Sequence, residues 1–101
     1  MSDKPSVVDN STASRFETTV DGHRAELEYR RTDDRLVLVH TEVPDEVGGQ
    51  GVGGALVRAA IDHAHSRDLT VVPKCPFARG WLEKHPDVAG RVRIDWPAAT
   101  R

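Results

Sequence analysis

Five of the seven positions from Gly48 to Gly54 are glycine (GGQGVGG). Such a run at the start of a helix aims several backbone N–H groups at one point, where the helix dipole favours negative charge. Glycine also lets a ligand approach the main chain, and phosphate or pyrophosphate is the natural guest. A glycine run can also be a plain flexible connection, but its place between an apolar strand and an amphipathic helix favours the anion site. A nucleotide-hydrolysing loop needs Lys and then Ser or Thr after its last glycine, and here Ala55 and Leu56 follow. A dinucleotide fingerprint sits in an opening strand–helix–strand unit, whereas this pattern opens on antiparallel strands.

Three further residues carry chemistry. Alternation along Leu36–Val43 puts Leu36, Leu38, His40 and Glu42 on one face, and Val37, Val39, Thr41 and Val43 on the other. A carboxylate and an imidazole side by side, just ahead of the glycine loop, can take up a proton directly or through water. Glu42 can equally be a surface carboxylate or an ion-pair partner, and His40 a hydrogen-bonded structural residue. Cys75 precedes Pro76, a favoured first residue of a helix. Its thiol at the N-cap is either a reactive group or a small buried hydrophobe. Phe77 and Trp81, four apart, form one apolar face expected in the core. Gly80 hints at close packing there. His63, His65 and His85 lack ligand spacing, and the single cysteine excludes a disulfide and a multi-cysteine site, so no metal is expected.

The elements that position these residues follow from periodicity. Phe16, Thr18 and Val20 alternate with polar neighbours, Asp21-Gly22 signals a hairpin, and Ala25, Leu27 and Tyr29 line one side of a second strand. Asp33-Asp34 turns the chain into Leu36–Val43, whose continuous apolar run predicts burial on both faces, and Pro44 ends it. The period then changes. Val52, Leu56, Val57, Ala60, Ile61 and Ala64 mark a helix, Leu69–Val72 a short strand, and Pro76–Lys84 a second helix. The class is α+β: a three-stranded antiparallel meander, glycine loop, helix, parallel crossover strand and short helix, giving a mixed sheet. Residues 1–14, rich in Ser, Asp, Asn and Thr, read as a disordered tail, 15–96 as one domain, and 97–101 as a frayed end.

Composition bounds the partners. Fourteen Lys and Arg against sixteen Asp and Glu give a net charge of −2, with no basic stripe for nucleic acid. No apolar run approaches the ~20 residues of a spanning helix, and no secretory signal opens the chain. No membrane partner and a cytoplasmic location follow. With 101 residues the core is thin, which makes a homodimer plausible.

Gln50-Gly51-Val52-Gly53-Gly54-Ala55 resembles the Arg/Gln-x-x-Gly-x-Gly/Ala signature of the GCN5-related N-acetyltransferase superfamily. His40–Val57 (HTEVPDEVGGQGVGGALV) with Val71–Asp87 (VVPKCPFARGWLEKHPD) is similar to its small single-domain branch. That branch has a short core with a Cys in the second half. It lacks the longer N-terminal helical region that shapes the acceptor site of larger relatives. The resemblance spans Phe16 to about Val92. It implies transfer of an acetyl group from acetyl-CoA to an amine of unknown identity. The pyrophosphate would be cradled by Gln50, Gly51, Val52, Gly53, Gly54 and Ala55. The thioester carbonyl would be polarised by a backbone N–H near Glu42 and Val43. Glu42, His40 and Cys75 are the catalytic candidates, with Cys75 lining the acetyl pocket and direct transfer favoured over an acetyl-cysteine. A coenzyme A or acyl-CoA binding module without turnover is the alternative.

Overall fold

The computed structural model describes residues 6–97. Asp21 (φ 51°) and Gly22 (φ 79°) both take positive φ, the geometry of a tight type I′ hairpin turn. They join strand β2 (Arg15–Val20) to β3 (His23–Arg31), paired antiparallel from Val20↔His23 to Arg15↔Glu28. β3 pairs antiparallel with β4 (Arg35–Glu42). Helix α1 (Val52–Ser66) crosses over to β5 (Thr70–Pro73), which lies parallel to β4. Helices α2 (Pro76–Lys84) and α3 (Pro86–Ala89) follow.

The segment expected to be a disordered tail contributes a strand. β1 (Val8–Asn10) pairs antiparallel with β2, giving a five-stranded mixed sheet in the order β1-β2-β3-β4-β5. Thr18 Oγ1 donates to the Ser6 carbonyl (2.7 Å), and the Tyr29 hydroxyl donates to Asp9 Oδ1 (2.6 Å). A polar composition suggests disorder because it buries little apolar surface. Here side-chain hydrogen bonds to a finished sheet edge anchor the segment instead. Residues 1–5 and 98–101 lie outside the described residues, so only Pro97 of the expected frayed end is in view.

One face of the sheet carries the core. Phe16, Ala25, Leu27, Tyr29, Leu36 and Leu38 pack there against Leu56, Val57, Ala60, Ile61 and Ala64 of α1. The expected two-sided burial of the central strand does not occur. Leu36 and Leu38 are fully buried, but Val37 is half-buried and Val39 is 38% exposed, because the helical layer covers one side only.

β4 also breaks its own alternation. Glu28 pairs with His40, yet Tyr29 pairs with Leu38, so Val39 is an extra residue that forms a β-bulge. A bulge advances the pleat by one residue. Beyond it, Thr41 lies opposite the buried Leu27, while His40 and Glu42 lie opposite Glu28 and Glu26.

Candidate active site

The glycine loop is built to leave the start of α1 open. A 3-10 turn (Asp45–Val47) pins the loop through the fully buried Val47. Gly49 (φ 84°) and Gly51 (φ 77°) then take left-handed conformations that L side chains resist. A Cβ on either would meet nothing within 4 Å, so the space beside both is free. Gly51 is the N-cap of α1, no side chain caps the helix, and no acidic residue lies in its first turn. The bond from Ala55 N to the Gly51 carbonyl (3.0 Å) leaves the N–H groups of Val52, Gly53 and Gly54 ahead of the helical ladder. Gln50 is exposed beside them, and Ala55 is half-buried.

Gly53 and Gly54 have a second role. A Cβ on Gly53 would lie 2.5 Å from Phe77 Cζ, and one on Gly54 would lie 2.7 Å from Trp81 Nε1. Both rings lie over the first turn of α1: Trp81 is partly buried and packs against the core as expected, whereas Phe77 is 45% exposed and outside it. Trp81 is held between the His85 ring, stacked at 3.7 Å, and the Arg58 guanidinium, 5.2 Å from its centroid. Gly80 has open space where a Cβ would stand, so it marks no close packing.

The bulge and α2 meet at Cys75. β5 pairs with β4 only over Arg35–Leu38 and stops at Pro73, which has no N–H to give. Cys75 N donates to the Leu38 carbonyl (2.9 Å), and the chain then turns into α2 with Cys75 as N-cap and Pro76 as first residue. The second half of β4, Val39–Glu42, thus runs past the end of β5. The Cys75 thiol is 3% exposed and lies 3.1 Å from Thr41 Oγ1. Thr41 reaches it because of the bulge. Sequence alternation placed Thr41 on the opposite face, so its contact was not anticipated.

His40 and Glu42 do share a face, with His40 Nε2 and Glu42 Oε1 3.0 Å apart, but it is not the face of Leu36 and Leu38. Both are more than half exposed on the uncovered side of the sheet. They do not meet Cys75, which lies on the covered side. Val43 is half-buried against the core. Among the described residues, no group of three or more His, Cys, Asp or Glu side chains is placed to hold a metal ion. No helix there is long and apolar enough to cross a membrane.

A family profile described as GCN5-related N-acetyl-transferase matches residues 15–91, most of the chain. The chain belongs to this family. The solution structure of a GCN5-like N-acetyltransferase-type protein from Staphylococcus aureus superposes with a TM-score of 0.67. It is 29% identical, covering 95% of this chain and 91% of that one. Protein NATD1 of Gallus gallus and of Mus musculus are each 36% identical over 64 residues, 62% of this chain. The matched stretch spans 58% of each of those relatives.

Proposed function

We propose that this chain is an acetyl-CoA-dependent N-acetyltransferase that passes the acetyl group directly to an amine. The observation that carries the reading is the open start of α1, uncapped and entered through two left-handed glycines. Its donors fit an anion, with no acidic residue in the first turn to repel one. Backbone N–H groups of Val52, Gly53 and Gly54 would hold the coenzyme's phosphates, with Gln50, Gly51 and Ala55 shaping the cradle. When bound, the coenzyme supplies an acetyl thioester.

The rest falls to this chain's own groups. The part of β4 beyond β5, Val39–Glu42, or Val43 just after it would offer a backbone N–H to the thioester carbonyl oxygen, which develops charge as the amine attacks. An amine of pKa ~10 arrives protonated at neutral pH. The Glu42 carboxylate, with His40 beside it on the open face, would take that proton directly or through water. Cys75 and Thr41 would close the opposite side as packing groups.

The test joins binding to turnover. Acetyl-CoA is expected to raise the melting temperature of the wild type and not that of Gly51→Val, whose β-branched residue is strained at positive φ. Thiol release against a panel of amines is expected from the wild type. Glu42→Gln is expected to lower it by about 10²–10⁴-fold with unchanged acetyl-CoA affinity. Stabilisation without thiol release from any amine would leave a coenzyme-binding module. No stabilisation at all would end the reading.

A further inference from the structure

The two ends of the proposed site are bridged by a single short stretch of chain, the first turn of α2. At one end Cys75, its N-cap, touches Thr41 at the bulge. At the other, the tip of the Phe77 ring rests on Gly53 in the first turn of α1. A ligand with its charged end at the α1 N-terminus and its reactive end beside the bulge must pass this turn. Phe77 is its second residue and remains 45% exposed. Val8, Val39, Phe77 and Trp96 are the large hydrophobic residues left exposed among those described. Of these, Phe77 borders this passage. Its tip rests on Gly53, and the rest of the ring presents apolar surface to solvent beside the start of α1.

We propose that Phe77 is a binding and positioning residue for the coenzyme: the uncharged arm between phosphates and thioester packs on its open ring face. The inference rests on the proposed coenzyme site and adds a side chain to one otherwise made of backbone groups. It also gives Gly53 a function beyond its N–H group. Without a Cβ at Gly53, the ring can lie low over α1 and leave its outer surface for the ligand.

The experiment compares two ligands by calorimetry. Acetyl-CoA carries the arm, whereas adenosine bisphosphate, the nucleotide half of the coenzyme, does not. Phe77→Ala is expected to weaken acetyl-CoA binding about tenfold, the scale of losing half of a buried aromatic face. Adenosine bisphosphate is expected to bind as it does to the wild type. Phe77→Leu, which keeps an apolar wall, is expected within about threefold of the wild type for acetyl-CoA. Where Phe77→Ala does not fold, Phe77→Gln, long enough to lie over Gly53, carries the same expectation. Equal acetyl-CoA affinity in the wild type and the polar or truncated variant would overturn the proposal. So would a parallel loss for both ligands, which would mean a disturbed helix junction rather than a lost arm contact. A wild type that binds neither ligand would overturn the coenzyme site itself, and this inference with it.

Discussion

Cys75 carries two readings at the scale of single residues, and its surroundings separate them. The thiol is 3% exposed, enclosed on the covered side of the sheet, with Thr41 Oγ1 at 3.1 Å. His40 and Glu42, the nearest candidate bases along the chain, lie on the other side of β4. A covalent route would move the acetyl group from one thioester to another and gain little by it. A small buried group beside a hydroxyl suits packing, and its removal leaves a cavity of one sulfur atom. Cys75→Ala and Cys75→Ser are therefore expected to keep a substantial fraction of turnover. Mass spectrometry of the wild type mixed with acetyl-CoA, without acceptor, is expected to show no stoichiometric adduct. An acetyl group on Cys75 that forms and discharges at the turnover rate would reverse the assignment. Gly53 and Gly54 teach a related lesson, since each does two things. Their N–H groups open the helix, and their missing side chains admit Phe77 and Trp81.

Elements turn on the bulge in β4. Deleting Val39 removes the extra residue and restores regular pairing, and Thr41 still falls opposite Leu27 and His40 opposite Glu28. The deletion is expected to leave a folded protein that still pairs β3 with β4. Turnover is expected to fall by at least about 10²-fold, as when one oxyanion donor is displaced, because the kink that aims the β4 backbone is gone. Wild-type turnover in a folded deletion variant would detach the bulge from the chemistry. The bulge also marks where sequence stops being legible. The α+β class and mixed sheet follow from period-two segments giving way to a 3.6-residue period at Val52. The glycine loop and the N-cap position of Cys75 follow from glycine spacing and from Pro76. Nothing local in LVLVHTEV announces that Val39 is surplus, because pairing to β3 decides it. Two face assignments, Thr41 out and His40 and Glu42 in with the leucines, are inverted for that reason. Phe77 lies outside the core, unlike Trp81, by the same limit, since a helix period shows which residues share a face but not what that face meets.

At the scale of the whole molecule, the edge away from the site is held by a cluster that joins four elements, β1, β2, β3 and α1. Asp9 of β1 accepts the Tyr29 hydroxyl of β3 (2.6 Å) and lies 3.6 Å from His63 Nδ1 of α1. Phe16 packs edge-on against His63 at 5.6 Å. Burial, followed by the charge of Arg67, holds the His63 imidazole below its ordinary value of 6.5, with Asp9 pulling the other way and Arg31 adding to Arg67. A lowered folded value means that the unfolded chain takes up the proton first as pH falls. This contribution to stability is full above about pH 6.5 and is lost as pH drops through the lower folded value. Tyr29 acts at the opposite end. Burial, then the hydrogen bond to Asp9, pushes its hydroxyl up to about 12. The unfolded chain ionises first, near pH 10, so this contribution is present below about pH 10 and is lost as pH rises from there toward the folded value. The melting temperature is therefore expected to decline on both sides of neutrality. His63→Gln is expected to flatten the acid limb and leave the alkaline one, and Tyr29→Phe to do the reverse. The check is the melting temperature from about pH 5 to 11 for the three proteins. Acid limbs of equal slope in the wild type and His63→Gln would show that β1 is latched without His63. Asp9 would then tie this sheet edge down through Tyr29 rather than through His63.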